Sequence, residues 1–217
     1  MNIKLISAVI LGLTLPWAMF SETAFEAGLR LLKEDKPQEA RAMLENALVG
    51  ETHNEKVYYY LGIVYQQLAQ PEKAIDVLQK GLLVAQDLKP VLLYQIGVNY
   101  EAKKDFTLAE KFYTMAIAEN GLLARAYLNR ANTRMELIHY KDAVEDYRTY
   151  LRLRPDAPQR PEIERLLALL EQDFAQQENL LRNVLNSLKN ASLDAETTSA
   201  GIEEFKDTGT TDVDILD

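Results

Sequence analysis

Residues 58–78 read YYYLGIVYQQLAQPEKAIDVL. Tyr58, Leu61, Gly62 and Tyr65 recur on one face of a helix. Pro71 suits the first turn of a second helix, where its missing N–H leaves no bond unmade. Ala74, Leu78 and Gly81 form the inner stripe of that second helix. The stretch therefore reads as a pair of helices, and the pattern recurs. Gly28, Gly62, Gly97 and Ala131 are spaced 34, 35 and 34 residues apart. An alanine follows each of them at the same offset: Ala40, Ala74, Ala109 and Ala143. Four residues beyond come Leu44, Leu78, Tyr113 and Tyr147, while Ala24, Tyr58, Leu93 and Tyr127 precede each small residue by four. Leu31, Tyr65, Tyr100 and Arg134 follow it by three. Several columns in phase at a period of 20–50 residues mark a repeat array.

Small residues inside helices need a reason. Glycine costs about 1 kcal/mol relative to alanine in a helix interior, so its return at each period implies close approach of two helix axes. The alanine column of the second helix is the expected partner. Pro37 holds the place of Pro71 in the first unit, and Asp105 is the expected N-cap ahead of Phe106 in the third.

These columns resemble the tetratricopeptide repeat family, whose pattern of aromatic, Leu-Gly, Tyr, Ala, aromatic, Ala, Pro is met best by Tyr58, Leu61-Gly62, Tyr65, Ala74 and Leu78. Tyr113, Tyr147 and Pro155 add matches in later units. The resemblance spans four units, about 21–54, 55–88, 90–123 and 124–157, in a repeat region over 22–157. Gly81 and Tyr150 depart from the usual alanine late in the second helix, Arg134 departs from the usual tyrosine, and one residue is inserted before Pro90. The resemblance implies an all-α, right-handed superhelical solenoid of four helix pairs that binds other proteins in its inner groove. It implies no catalysis.

In that family the first helix of each pair lines the concave face. The corresponding slots here hold Phe25, Tyr59, Tyr94 and Leu128, then Leu29, Ile63, Val98 and Asn132, and finally Leu32, Gln66, Glu101 and Met135. The family's grip on a terminal carboxylate uses Lys, Arg and Asn at such slots, and only Asn132 agrees in type. An apolar groove instead suits an amphipathic helix or an extended apolar segment. Tyrosines in rows more often mark a contact surface than a core, although these residues could also complete the core or lie under the chain's own ends.

The two ends differ from the body. Residues 1–21 carry Lys4, then an apolar run from Leu5 to Phe20. That run is shorter than the roughly 20 residues of a membrane span and reads as an export signal. A signal left uncleaved would tether the chain to the inner membrane. Either reading places the body in the periplasm or another extracytoplasmic space. Pro155, Pro158 and Pro161 close the fourth unit. Within 158–190, a capping helix is expected from Glu162 to Asn190. Ile163, Leu167, Leu170, Phe174, Gln177, Leu181, Val184 and Leu188 form its heptad seam. Leu181, Val184 and Leu188 lie past what a cap needs and are candidate contacts for a partner helix or for a second copy in a homodimer. The alternative folds the helix back along the repeats. Residues 191–217 carry eight acids and one base, and read as a disordered tail.

Composition narrows function further. With no cysteine, two histidines 86 positions apart and no phosphate-binding, metalloprotease or nucleophile-elbow motif, no enzyme, metal or cofactor is expected. His53 with Glu51 and Glu55 reads as a turn between repeats. A net charge of −9 opposes nucleic-acid binding. The expectation is an exported, non-catalytic scaffold holding a partner protein segment in an apolar groove of the cell envelope. Two alternatives stand beside it: an assembly subunit acting through the C-terminal helix, and an accessory ligand-delivery component of a transporter.

Overall fold

The computed structural model describes residues 22–199, with side chains through residue 188. Residues 1–21, expected to be an export signal, and the acidic residues 200–217 lie outside the described residues. Helices α1 (Ala24–Lys33), α3 (Glu55–Gln67), α5 (Lys89–Ala102) and α7 (Ala124–Glu136) alternate with α2 (Pro37–Gly50), α4 (Pro71–Leu82), α6 (Phe106–Glu119) and α8 (Tyr140–Leu153). A ninth helix, α9, runs Arg160–Ser199. Among the described residues there is no strand, so the chain is an all-α solenoid of four helix pairs closed by a long helix.

Each pair turns in the same way. Asp35, Ala69, Lys104 and Ile138 adopt left-handed φ values of 56°, 53°, 60° and 63° just after the first helix. The next residue, Lys36, Gln70, Asp105 or His139, donates its N–H to Leu31, Tyr65, Tyr100 or Arg134 respectively, at 2.8–3.0 Å. The left-handed residues themselves donate to Leu32, Gln66, Glu101 and Met135. This is the Schellman closure of a helix, which satisfies its last carbonyls. The second helix then starts on Pro37 or Pro71 at its first turn, or on Asp105, whose carboxylate accepts from the Leu108 N–H at 3.1 Å.

Packing within a pair rests on the small-residue column. Gly28, Gly62, Gly97 and Ala131 are buried. A Cβ added at Gly28 would sit 2.7 Å from Leu44, one at Gly62 would sit 2.5 Å from Leu78, and one at Gly97 would sit 2.6 Å from Tyr113. The side chain entering the gap is thus the Leu/Tyr column, not the alanine column expected to fill it. The alanines matter differently: Ala40, Ala74, Ala109 and Ala143 are wholly buried, and their short side chains let the second helix come close enough for Leu or Tyr to reach across. Gly81 has a like explanation. A Cβ there would meet Tyr58 at 2.7 Å.

Between pairs, the inserted residue is absorbed by a loop from Leu83 to Leu88. The Glu55 carboxylate accepts from the backbone N–H groups of Gln86, Asp87 and Leu88 at 2.7, 3.3 and 3.1 Å. Burial pushes the Glu55 carboxyl up, but those three donors outweigh it and hold its pKa below the ordinary value.

At the C-terminal edge, Ala157, Ile163 and Leu167 bury against Tyr147, Tyr150 and Leu151, with Leu166, Leu170 and Phe174 alongside. Arg160 donates to the Leu151 and Pro155 carbonyls, each at 2.8 Å. This covers the apolar edge of the last pair, as terminal repeats require. Past Phe174, every described side chain through Leu188 is exposed, and among the described helices α9 touches only α8. It does not fold back along the repeats. It also runs to Ser199, beyond the expected stop at Asn190. Ala191, Leu193, Ala195 and Glu196 favour helix, and no Gly or Pro intervenes before Gly201.

Two substitutions in this frame should part company. Gly62→Ala and Ala74→Leu overpack the crossing and should each cost about 1–3 kcal/mol. Gly50→Ala meets nothing within 4 Å, and should be neutral or gain about 0.4–1 kcal/mol. Equal melting temperatures for all three would show that the assigned crossing is wrong. Ile138 is a β-branched residue at positive φ, 70% exposed. Ile138→Gly should therefore stabilise by about 1 kcal/mol, as read from urea unfolding.

Candidate functional site

The first helices of successive pairs touch one another directly, α1 with α3, α3 with α5 and α5 with α7, whereas the second helices of the repeats do not. The first helices therefore lie on the inner side of the curve. Phe25, Leu29, Tyr59, Ile63, Tyr94, Val98 and Leu128 stand on them, all half-buried, and Asn132 is exposed. Tyr59 and Tyr94, whose row reads from the sequence as a contact surface, are seated partway into that surface. Tyr59 meets Tyr60 edge-on with ring centroids 5.0 Å apart, and Tyr60 in turn lies 6.0 Å from Phe25. Tyr94 lies against Tyr113 at 5.8 Å. No other described helix covers this face.

The face changes character along its length. Between α1 and α3, Leu29, Leu32, Tyr60 and Ile63, with Lys33 beside them, line a shallow cavity of about 310 Å³. Tyr60 was not among the residues expected here. Its slot, two before the glycine, is Gln95 in the third unit and Asn129 in the fourth, so no column pointed to it. In the middle, Tyr113 donates its phenol to Glu101 at 2.5 Å, and the Asn129 amide donates to both the Tyr94 and Tyr113 phenol oxygens at 3.3 Å. Asn132 accepts from the Tyr147 phenol at 2.7 Å, which engages its oxygen within the fold. Burial pushes the phenols of Tyr94, Tyr113 and Tyr147 above their ordinary pKa. The Arg125 charge partly opposes that rise at Tyr94.

A second exposed surface lies on α9. Leu180, Leu181, Val184, Leu185 and Leu188 are all about half exposed or more. Gln177, also exposed, donates to Asp173 at 2.7 Å. Lys141, Phe174, Gln177, Glu178 and Leu181 flank a cleft of about 270 Å³ where α9 leaves α8.

Among the described residues no three His, Asp or Glu side chains are grouped to hold a metal. No described helix is long and apolar enough to cross a membrane.

Comparison with known proteins agrees with this architecture. Models of the tetratricopeptide repeat match residues 31–92 and 124–157. The chain is similar in structure to MamA, at 17% identity and a TM-score of 0.61, covering 78% of this chain and 96% of that one. It is also similar to YrrB, a TPR protein with an unusual peptide-binding site, at 22% identity and a TM-score of 0.55 over 69% of this chain and 73% of that one. The first TPR of Spaghetti (RPAP3), bound to the HSP90 peptide SRMEEVD, is 29% identical with a TM-score of 0.50, over 56% of this chain and 93% of that one. No curated protein sequence matches. A solenoid of helix pairs with an open inner face defines a class of protein-interaction scaffolds. Within that class, residues 31–92 and 124–157 of this chain match the tetratricopeptide repeat.

Burial ranks the inner-face tyrosines against the core. Tyr113→Ala empties a wholly buried site and should cost about 3–5 kcal/mol. Tyr59→Ala and Tyr94→Ala should cost about 0.5–3 kcal/mol each. Thermal melts in which Tyr59 matters as much as Tyr113 would make it a core residue. The raised phenols also set a pH dependence. Their folded-state pKa values lie above the unfolded value near 10, so the stability they contribute is complete below about pH 10 and lost as pH rises through the folded values. Tyrosinate absorbance should show a group of late-titrating phenols, with Tyr65, bonded to Glu45 and pushed up to about 12, among them. Uniform titration near 10 would contradict the buried placement.

Proposed function

We propose that this protein is a non-catalytic scaffold of the cell envelope, holding an apolar segment of a partner protein along its inner face. One observation carries the reading: Phe25, Leu29, Tyr59, Ile63, Tyr94, Val98 and Leu128 form a half-buried row on the first helices, bordered at its Leu128 end by Tyr150, Pro158 and Gln159. A helix or strand laid there would complete the burial of aromatic side chains held in place by their neighbours, the setting in which aromatic anchors bind best. The peptide-binding site of YrrB and the HSP90 peptide bound by the first TPR of Spaghetti favour the same use of the same kind of face. The envelope location rests on the export-type residues 1–21, and an uncleaved segment there would tether the scaffold to the membrane.

A photo-crosslinker in place of Tyr59 or Tyr94 should capture one protein in intact cells, whereas one in place of the exposed Gln79 on α4 should not. Capture from both sides alike, or recovery of the mature chain in the cytosol, would overturn the reading.

A second contact is favoured by the exposed Leu181, Val184 and Leu188. An apolar stripe of this size projecting past the cap suits a helix of a partner or of a second copy. Light scattering on residues 22–217 should report more than one copy, or strong concentration dependence, and both should vanish in a chain ending at Gln176. A monomer in each case, with equal solubility and equal partner capture, would remove α9 as a contact surface.

A further inference from the structure

A second cavity on the inner face is unlike the apolar one between α1 and α3. Tyr94, Arg125, Leu128, Asn129, Tyr150 and Arg154 surround about 360 Å³ where α5, α7 and α8 meet the start of the cap. Pro158 and Gln159 close its far wall. No carboxylate lines it. Arg125 forms no ion pair among the described residues, and Arg154 has only the exposed Asp156, at 3.5 Å. Glu101, the nearest inner-face acid on α5, already accepts the Tyr113 phenol. The polar groups of the walls are fixed by one another: Asn129 donates to Tyr94, and Tyr150 donates to Gln159 at 3.2 Å. Two guanidinium groups thus border a concave site that supplies cations and phenols but no anion.

We propose that this cavity takes a carboxylate side chain of the partner segment whose apolar residues lie along Leu29, Tyr59 and Ile63. The inference rests on the groove reading above and names the chemistry of the segment. Charge complementarity commits the occupant to an acidic residue. Guanidinium groups bind carboxylates with geometric specificity, and burial against Tyr94 and Leu128 strengthens the attraction by removing water. Spacing follows from the helix packing. The apolar cavity lies between α1 and α3, two inter-helix steps from this one, or roughly 16–20 Å at 8–10 Å per step. An extended chain covers that in about five or six residues. The ligand class is therefore an extended peptide with an apolar anchor and, five or six residues away, Asp or Glu. The pocket adds Tyr150 and Arg154 at the end of α8 and Pro158 and Gln159 before the cap, so it differs from a carboxylate grip built on first-helix slots alone.

The test is selection of a random-peptide display library on the immobilised full chain, followed by affinity measurement with the selected peptides. The expected result is enrichment of an apolar residue and an acid at that spacing. Arg125→Glu with Arg154→Glu should weaken those peptides more than tenfold and enrich Lys or Arg instead, while Lys33→Glu, at the apolar end, should leave the acid preference intact. Both arginines are exposed, and an unchanged melting curve checks that the double variant folds. Apolar peptides selected without an acid, or affinity unchanged by the charge reversal, would overturn the subsite and leave the groove standing. No selectable peptide, or peptides indifferent to Tyr59→Ala, would overturn the groove reading and the subsite together. Displacement of the selected peptides by residues 200–217 of this chain at equal affinity would assign the pocket to the chain's own acidic segment and overturn a partner as its occupant.

Discussion

Three of the four helix pairs depend on an absence, the side chain missing at Gly28, Gly62 and Gly97, and the fourth on the small Ala131. Leu44, Leu78 and Tyr113 occupy the space a Cβ would need, each sixteen residues along the chain from its glycine. The cost of glycine in a helix, about 1 kcal/mol, is offset by bringing two helix axes close enough to bury a whole leucine or tyrosine. Because the same knob fills the same gap in successive pairs, the pairs share one geometry. Shared geometry gives the array a constant turn from unit to unit. The inner face exists because of that turn: it keeps α1, α3, α5 and α7 in mutual contact and leaves their free sides in one continuous surface.

The repeat, the helix pairs and the cap were legible because they rest on columns of residue type. Gly, Ala, Leu and Tyr return in phase, and proline marks two of the second-helix starts. The partner of each glycine was misread for a related reason. The alanine column is the more regular of the two, yet regularity reflects how little room there is, not which side chain fills it. The left-handed residue that ends each first helix was invisible. Asp35, Ala69, Lys104 and Ile138 share no chemistry, and none is the glycine or asparagine that usually announces such a turn. The surrounding hairpin imposes the conformation on whatever residue stands there.

Arg134 shows how a departure from the family pattern can carry structure. Where the pattern calls for tyrosine, Arg134 donates to Glu110 of α6 at 2.6 Å and to Asp146 of α8 at 2.8 Å. Arg130 grips the same Asp146 with two bonds of 2.8 and 2.7 Å and reaches Thr114 at 3.0 Å. Asp146 is almost completely buried, so a single carboxylate joins α7 to α8 while both arginines reach back to α6. Sequence alone offered four charged residues scattered over two units with no common spacing, and only the solenoid brings them together.

The network bears on the inner face through direction more than through stability. A buried ion pair often contributes little net free energy, because desolvation cancels much of the attraction. Its bonds do fix an angle, as a greasy contact does not. Arg130 and Arg134 sit on the side of α7 that faces α6 and α8, and Leu128, Asn129 and Asn132 share the same helix. Locking the rotation of α7 therefore sets where Arg125 and Leu128 stand relative to Tyr94, while Asn129 reads that position by bonding Tyr94 and Tyr113 at once. The apolar end of the face needs no such lock, since leucine, isoleucine and tyrosine tolerate small rotations. The cationic end does, because a guanidinium recognises a carboxylate only over a narrow range of geometry. The polar scaffolding is concentrated in the fourth unit, the part of the groove where orientation matters most.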